Sequence, residues 1–465
     1  PVGQFPGNIN WGYDGVYPFA AQNSYGGPQG LKRLVNACHG NGLAVILDVV
    51  YNHLGPEGNY FIDFAPYYFT ERYKTPWGPA LNFDGPYSDE VRHFFVENAR
   101  YWISDCHVDA LRLDAVHAIL DHSPQPFLEE LGAKVHKLAG DLNRRVHLMP
   151  ESAANDARLI RSRERGGYSL DAVWSDDFHH ALRTVLTGEQ SGYYEDYGKF
   201  KHLVDAYRDG FAYSGKYSRF RKRRHGSSAK DIPAERFIVF SQNHDQVGNR
   251  LQGDRLTYSV CFEALKLAAA TVILSPFIPL IFMGEEYGET APFPYFISHS
   301  DAGLIEAVRR GRRAEFAAFH WQGEIPDPQD EATFLEAQLR HETRHSEGHR
   351  TLCDFYRELF GLRKTIPALA NLNKDTMSVH GYDNEQVLFV HRWSEDGQAI
   401  IIESFGQAEA SVSLPIPAGH WRKILDSTDK KWQGGGGSTP KDLHSQGAMT
   451  LSLVARSAVV FTSIE

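Results

Sequence analysis

The sequence predicts an α/β protein in which a (β/α)₈ TIM barrel is followed by a small antiparallel β-domain. Short apolar strands alternate with helical patterns from about residue 30 to residue 290, as expected of a parallel sheet whose strands are connected by helices. Polar residues follow many of these strands, at the edge where (β/α)₈ barrels carry their active sites. Beyond about residue 370 the apolar residues recur every second position, which is typical of antiparallel strands.

The barrel elements follow one another along the chain as alternating apolar and amphipathic segments. We predict strands over 43–47, 108–116, 146–150, 172–174, 237–240 and 278–283, and helices over 31–38, 91–105, 125–140, 155–163, 178–187 and 256–270. A Pro-, Gly- and aromatic-rich insertion at 54–90 is predicted to be a loop. A doubly wound open sheet is the rival fold, but no GxGxxG follows any strand.

The C-terminal region has its own strand pattern. Its period-two segments predict strands over 386–390, 399–403, 410–414 and 458–462, with a glycine-rich loop at 434–437. We therefore expect two domains, a barrel over 1–370 and a β-sandwich over 371–465.

Composition excludes several classes of partner. The 465 residues carry 48 basic and 58 acidic side chains, a net charge of −10, without a basic stripe that could neutralise a phosphate backbone. The longest apolar stretch, 265–283, contains Lys266 and is broken by two prolines, so we expect no membrane span. The four cysteines lie far apart and indicate a reducing, cytoplasmic location. The sequence does not indicate an oligomeric state.

Carboxylates and other polar residues cluster at four predicted strand ends: 48–53, 112–117, 151 and 243–245. A single Asp at a strand end is more often a helix cap, but four such ends in succession favour an active site. Paired carboxylates suit glycoside hydrolysis, in which one attacks the anomeric carbon and the other protonates the leaving oxygen. Arg112 lies two residues before Asp114, so both side chains face the same side of the strand and the guanidinium should keep Asp114 ionised.

These strand ends resemble the four signature regions of the α-amylase superfamily of glycoside hydrolases. The matching stretches are Asp-Val-Val-Tyr-Asn-His at 48–53, Arg-Leu-Asp-Ala-Val-His at 112–117, Pro-Glu-Ser at 150–152 and Asn-His-Asp at 243–245. The resemblance implies that Asp114 is the nucleophile, that Glu151 is the general acid/base and that Asp245 stabilises the transition state.

The same resemblance assigns residues to the binding of sugar. It implies substrate contacts for five residues and structural support of the site for two more. The contact residues are Tyr13, as an aromatic platform in Trp-Gly-Tyr-Asp at 11–14, with His53, Arg112, His117 and His244, and the supporting residues are Asp48 and Asn52. The sequence indicates no cofactor, and it contains no cluster of oxygen ligands that predicts a metal site such as one for calcium.

Further stretches narrow the resemblance within the superfamily. They are Met-Pro-Glu-Ser at 149–152 followed by Asn-Asp at 155–156, and the stretches 174–180, 241–250 and 327–330. They resemble the members that cleave the α-1,4 bond next to the terminal α,α-trehalose unit of maltooligosyl trehalose, with retention of configuration. A branching enzyme, which shares Gly-Pro-Glu-Gly at 55–58, and a general α-amylase are the alternatives.

The resemblance also bears on the N-terminal strands. The strand ending in Asp48 resembles the third barrel strand of the superfamily, and Pro1-Val2 the tail of the second. We expect this barrel to be truncated at its N-terminus, with strand one and most of strand two in a longer protein. A barrel lacking two adjacent strands exposes unpaired edges, so residues 1–465 alone should be insoluble or inactive.

Two other classes of function have some support. His-Glu-Thr-Arg-His at 341–345 is a literal HExxH, which on a helix could bind zinc as in a metallopeptidase. Its charged flanks and the lack of an evident third ligand favour a solvated helix face. A non-catalytic carbohydrate-binding protein is the other alternative, against which the complete set of three carboxylates and Arg112 argues.

Several residues near the strand ends have two interpretations. Four aromatic side chains could stack on sugars or serve as packing anchors: Trp77, Phe83, Phe178 and Tyr287. Glu285 and Glu286 could contact the reducing-side sugars or lie in a solvated loop.

Overall fold

The computed structural model describes residues 1–75, 77–317, 319 and 323–464. The chain forms two compact units. The first contains Pro1–Trp174, Tyr295–Arg313 and Asp327–Phe334, and the second contains Ser175–Pro294, Ala314–Pro326 and Leu335–Glu465. Within the part of the chain described, no helix is both long enough and apolar enough to span a membrane.

The first unit is built around a parallel sheet. Its three paired strands are Ile46–Val49, Ala110–Leu113 and His147–Pro150, and a parallel bridge joins Glu151 to Trp174 in the strand Val173–Trp174. Its longer helices are Gly27–Gly40, Ser88–Asp105 and Phe127–Asp141, and its shorter elements are the antiparallel pairs Gly3–Gln4 with Tyr17–Ala21 and Phe69–Thr75 with Gly78–Leu81, and the helix Phe61–Phe64.

The second unit begins with helices and a parallel strand pair. The strands Phe237–Val239 and Ile278–Pro279 pair in parallel, and Lys216–Ser218 forms a hairpin with Arg223–His225. The main helices are Asp176–Thr187, Phe200–Asp209, His244–Gly248, Leu256–Ser259, Phe262–Ile273, Glu347–Thr365 and Pro367–Ala370. Two further helices, Ala302–Ala317 and Glu331–Glu336, lie between these in sequence, but most of each belongs to the first unit.

All four predicted C-terminal strands are confirmed. A six-stranded antiparallel sheet contains, in spatial order, Met377–Tyr382, Val387–Ser394, Gly397–Ser404, Ser457–Ile464, Gly419–Asp426 and Asp442–Ser445, while Ala410–Leu414 pairs with Met449–Leu453. Alternate residues such as Phe389, Ile400 and Phe461 form one buried core with Trp421. Because this sheet falls in the same compact unit as residues 175–294, the predicted domain boundary near residue 370 stays a prediction.

Two predicted helices are wrong. Residues 155–163 contain only the 3₁₀ turns Ala157–Leu159 and Arg163–Arg165, because the Asp156 side chain accepts a hydrogen bond from the Arg158 N–H and Ser162 is extended. The predicted helix 256–270 is two helices, interrupted at Val260, whose backbone is extended. The insertion at 54–90 contains an antiparallel strand pair and the start of a helix as well as loop.

The C-terminal sheet packs on helices of its own unit through buried charges. Lys266, on the helix Phe262–Ile273, donates to the carbonyl oxygens of Ser427 at 2.7 Å and Trp432 at 2.8 Å. On the strand Gly397–Ser404, the fully buried Glu403 accepts a hydrogen bond from the Thr271 hydroxyl at 3.0 Å. Burial raises the pKa of Glu403 to about 8, although the hydrogen bond from Thr271 lowers it.

We expect Glu403→Gln to stabilise the protein increasingly as the pH rises. The pKa of Glu403 is higher in the folded state, about 8, than its ordinary value of 4.5, so the unfolded chain ionises first and wild-type stability is lost as the pH rises towards 8. Gln cannot ionise, so the variant should gain about 3 kcal/mol over wild type between pH 6 and pH 9. Urea unfolding at both pH values measures this gain.

The exposed Glu409→Gln is the matched control and should show no such pH dependence. A difference in the free energy of unfolding between Glu403→Gln and wild type that is the same at both pH values would contradict the prediction.

Candidate active site

The carboxyl ends of the first unit's strands bring together two of the three predicted catalytic residues, Asp114 and Glu151, with Asp48 and Arg112. Asp48 is in register with Arg112. The ladder then continues past both strand ends, because the Asp114 N–H donates to the Val49 carbonyl at 3.0 Å and the Glu151 N–H donates to the Leu113 carbonyl at 2.9 Å. Alternation along the strand places Arg112 and Asp114 on the same side.

The Arg112 guanidinium is the centre of the cluster. Its Nη1 lies 2.7 Å from Asp48 Oδ1 and 2.8 Å from Asp114 Oδ1, and its Nη2 lies 3.3 Å from Glu151 Oε2. Burial lowers the pKa of Arg112, but the charges of Asp48, Tyr13, Asp114 and Glu151 together raise it well above its ordinary value. Arg112 is therefore a permanent cation shared by three carboxylates.

Asp114 is held from two sides. Asn52 Nδ2 donates to Asp114 Oδ2 at 2.8 Å and to the Asp114 backbone carbonyl at 2.9 Å, while Arg112 holds Oδ1. Burial raises the pKa of Asp114 above its ordinary value, Arg112 lowers it, and Glu151 and Asp48 raise it. Arg112 thus acts in the predicted direction, but burial outweighs it.

Glu151 is positioned by an unusual backbone conformation. Its Oε2 accepts a hydrogen bond from the Ala115 N–H at 2.7 Å. Ala115 has a φ of 38° and a ψ of 49°, in the left-handed region that residues with a Cβ seldom adopt. This conformation, directly after Asp114, aims the N–H at Glu151, and strained backbone of this kind clusters at functional sites.

Tyr13 and His53 border the cluster. The Tyr13 hydroxyl donates to Asp48 Oδ2 at 2.7 Å and accepts from Arg112 Nη1 at 3.1 Å. The two ring nitrogens of His53 face carbonyl oxygens, with Nδ1 2.5 Å from Asn52 Oδ1 and Nε2 2.9 Å from the Tyr13 backbone oxygen. Burial lowers the pKa of His53, although the charges of Asp114 and Asp14 raise it.

Sequence reasoning missed three features of this site. Ala115 carries no side-chain signal, since its role lies in its backbone. Trp174 lies within the stretch 174–180, but nothing in the sequence indicates its contact with Arg112. The Arg112 guanidinium carbon lies 4.7 Å from the Trp174 ring centroid, a cation–π contact. Trp77, 46% exposed, stacks on His53 with ring centroids 4.4 Å apart and an interplanar angle of 5°; the strand-end pattern indicated Trp77 but not its partner.

The remaining predicted residues of the first unit lie at or beside the cluster. His117 is exposed in the 3₁₀ turn Val116–Ala118, and it lines a cavity of about 230 Å³ together with Ser152, which directly follows Glu151. Of the other candidate stacking aromatics, Phe83, Phe178 and Tyr287 are all buried and therefore serve as packing anchors.

His244 and Asp245 lie in the second unit, in the first turn of the helix His244–Gly248. The Asn243 side chain caps this helix by accepting from the Gln246 N–H at 2.8 Å, and Asn249 Nδ2 donates to Asp245 Oδ1 at 2.7 Å. The capping interaction fixes the start of the helix. A joint action of Asp245 with Asp114 and Glu151 stays a prediction.

The HExxH segment does not form a zinc-binding helix. Residues His341–His345 form a 3₁₀ helix, in which positions i and i+4 do not share a face as they do in an α-helix. Both histidines are exposed. Among the residues that the structure describes, no group of three or more His, Cys, Asp or Glu is placed to hold a metal ion.

Comparison with known families agrees with this geometry. Residues 6–77 and 66–371 match the family profile described as the catalytic domain of alpha amylase. The chain belongs to the alpha-amylase family. The superfamily resemblance seen in the sequence is therefore confirmed, and so is the fold class of that family, a (β/α)₈ barrel, here with a C-terminal antiparallel sheet.

Within the alpha-amylase family, the chain is similar to proteins named malto-oligosyltrehalose trehalohydrolases. A malto-oligosyltrehalose trehalohydrolase of Saccharolobus solfataricus is 52% identical over 371 residues, which are 80% of this chain and 63% of that protein. One of Mycobacterium tuberculosis is 42% identical over 417 residues, 89% of this chain and 71% of that protein. The crystal structure of a putative alpha amylase from Salmonella typhimurium, 36% identical, superposes with a TM-score of 0.86 and covers all of this chain and 75% of its own.

We expect Arg112→Lys to lower kcat by about 100-fold or more. An ammonium group is a point charge without the planar fork of guanidinium, so it cannot hold Asp48, Asp114 and Glu151 in their present places, and small misplacements of reacting groups have effects of this size. Steady-state kinetics on maltooligosyl trehalose, the substrate that the sequence resemblance implies, measures the loss.

The control is Arg92→Lys, which changes another buried arginine of the same unit, bonded to Glu130 at 2.7 Å and Asp121 at 3.0 Å. It should reduce stability but change kcat only a few-fold. Equal losses of kcat in the two variants would contradict the role given to Arg112.

Proposed function

We propose that this protein is a retaining glycoside hydrolase that cleaves the α-1,4 bond next to the terminal α,α-trehalose unit of maltooligosyl trehalose and releases trehalose. The observation that carries the proposal is the Arg112 guanidinium shared by Asp48, Asp114 and Glu151 at adjoining strand ends. The trehalose end rests on the likeness to relatives named trehalohydrolases.

The first step uses two carboxyl groups. Asp114, aimed by Asn52 and Arg112, attacks the anomeric carbon while the protonated Glu151 gives its proton to the departing glycosidic oxygen, so that the C–O bond breaks as the Asp114 ester forms. In the second step Glu151 takes a proton from water, and the water oxygen displaces Asp114 from the same carbon. Two inversions give net retention. No step requires a cofactor or a metal.

The other predicted residues take supporting roles. Asp245 stabilises the positive charge that develops on the sugar ring, Tyr13 forms the platform beneath it, and His53 and His244 bind its hydroxyls. Asp48 and Asn52 hold Arg112 and Asp114 in place. Ser152, which lines the cavity together with His117, directly follows the proton donor Glu151 in the sequence, which supports use of this cavity by the sugars of the leaving group.

The proposed function also bears on the location, partners and domain division of the protein. The substrate is a soluble oligosaccharide, which agrees with a cytoplasmic location and does not require nucleic acid or a membrane. The division into a catalytic barrel over 1–370 and a C-terminal β-sandwich over 371–465 remains part of the proposal.

Product analysis tests the function. The full-length protein is purified and incubated with maltooligosyl trehalose, with a plain maltooligosaccharide of equal length and with glycogen, and the products are separated by chromatography. Free trehalose should be the small product from the first substrate, at a much higher rate than any hydrolysis of the second. Comparable rates on plain maltooligosaccharide would favour a general α-amylase, and new α-1,6 branches would favour a branching enzyme.

A further inference from the structure

The carboxylate of Glu285 joins two neighbouring strands of the second unit beyond the end of their pairing. The strands Phe237–Val239 and Ile278–Pro279 pair in parallel, and just beyond this pairing the Leu280 N–H donates to the Val239 carbonyl at 2.9 Å. Glu285 then accepts from Ser241 Oγ at 2.7 Å through Oε1, and from the Phe282 N–H at 3.2 Å through Oε2. Beyond the ends of the two strands, the Glu285 side chain thus replaces the backbone hydrogen bonds that would join them within the sheet.

Glu285 is buried and hydrogen-bonded, so its sequence-based interpretation as a residue of a solvated loop is wrong. It is 7% exposed, and Oε1 also accepts from the Tyr356 hydroxyl at 2.9 Å. Burial raises the pKa of Glu285 to about 6, while the hydrogen bonds from Ser241, Tyr356, Phe282 and Gln242 lower it. The carboxylate is therefore held within the protein and does not lie in a solvated loop.

Ser241 begins the segment that carries Asp245. Its carbonyl lies 2.6 Å from His179 Nδ1, and the next residue, Gln242, accepts from the Leu256 N–H at 2.9 Å. Asn243 then caps the helix whose first turn contains Asp245. The hydrogen bond from Ser241 to Glu285 therefore anchors the start of a short segment, 241–245, whose residues are held by hydrogen bonds and which ends at Asp245.

We propose that Glu285 is a positioning residue, which fixes Ser241 and through it the placement of Asp245. This inference rests on the proposed function, because it depends on Asp245 stabilising the transition state. Displacements of about 1 Å in a catalytic group can lower the rate by about 100-fold, so a carboxylate that fixes the base of this segment has a large effect on kcat without touching the substrate.

A matched pair of variants separates positioning from stability. Ser241→Ala and Tyr356→Phe each remove one buried hydroxyl that donates to the same oxygen, Glu285 Oε1, but only Ser241 lies on the segment leading to Asp245. Both should lower the melting temperature by similar amounts. Ser241→Ala should lower kcat about tenfold or more with little change in KM, whereas Tyr356→Phe should leave both constants within about twofold. Equal changes in kcat, or an unchanged kcat in Ser241→Ala, would overturn the proposal.

A conservative substitution provides a second readout. Glu285→Gln keeps a planar group whose carbonyl can accept from the Phe282 N–H while its amide donates to the two hydroxyls, so it should retain kcat within about fivefold. Glu285→Leu, which can make none of these bonds, should lose at least as much activity as Ser241→Ala. A Gln variant as impaired as the Leu variant would contradict this account.

Amide hydrogen exchange tests the anchoring of this segment independently of enzymatic activity. Ser241→Ala should speed exchange over residues 243–249 by about fivefold or more, because the segment has lost its anchor, and Tyr356→Phe should not. If the wild-type protein does not hydrolyse maltooligosyl trehalose, the proposed function fails, and the exchange data still decide whether Glu285 anchors the segment. Unchanged exchange in Ser241→Ala would overturn the anchoring.

Discussion

Asp114→Asn should abolish nearly all turnover, by about 10⁴-fold or more, while leaving the fold and oligosaccharide binding intact. An amide cannot attack the anomeric carbon, yet it has almost the same shape as the carboxylate and can still accept the hydrogen bond that Arg112 Nη1 donates at 2.8 Å. The loss should therefore be in kcat, with binding of the oligosaccharide by calorimetry changed only slightly.

The matched control is Asp109→Asn, just before the other end of the same strand. Asp109 accepts from the Val45 N–H at 2.8 Å, lies 2.8 Å from His39 Nε2 and forms an ion pair with Arg144, so the change affects packing but not the cluster around Arg112. Its kcat should stay within a few-fold of wild type. Residual activity above about a hundredth in Asp114→Asn, at any pH, would remove Asp114 from the role of nucleophile.

Glu151→Gln should depress kcat/KM for the natural oligosaccharide, which reports the first step, by about 10²- to 10⁴-fold, and kcat/KM for an activated aryl glycoside far less. The sugar leaving group of the natural substrate needs a proton, whereas a nitrophenolate leaves without one. The Gln side chain can still accept from the Ala115 N–H, the bond that holds Glu151 Oε2 at 2.7 Å, so its position should be kept.

The comparison of the two substrates contains its own control. Equal losses on the natural and the activated substrate would count against Glu151 as the acid and would indicate a general disturbance of the site. A further check is the addition of a small anionic nucleophile, which should restore turnover of the aryl glycoside in Glu151→Gln, because the base that activates water in the second step is then not needed.

The strand ends of the first unit could be predicted because the relevant information is local. Each of Asp48, Asp114 and Glu151 lies at or just after the end of a short apolar run, and parallel strands bring such ends to one edge. The spacing of two between Arg112 and Asp114 placed both on one side of the strand, and the structure agrees.

Other features depend on long-range contacts and could not be predicted in this way. The left-handed Ala115 has no sequence signal, since alanine favours the right-handed region and only the surrounding fold holds it elsewhere. The helix predicted over 155–163 fails because Asp156 bonds to its own local backbone. Glu285 follows a predicted strand in the sequence, but its burial against Ser241 and Tyr356 depends on residues far away in the chain.

Trapping the glycosyl–enzyme intermediate is the most direct test of the central claim, that Asp114 forms a covalent bond to the sugar during a retaining cleavage. The protein, or Glu151→Gln if turnover is too fast, is incubated with a fluorinated glycosyl fluoride that slows the second step, then digested and analysed by mass spectrometry. The label should be on the peptide containing Asp114, and fragmentation should place it on that residue. A label on another carboxylate, or an unlabelled protein whose first product is the β-anomer by NMR, would contradict the account.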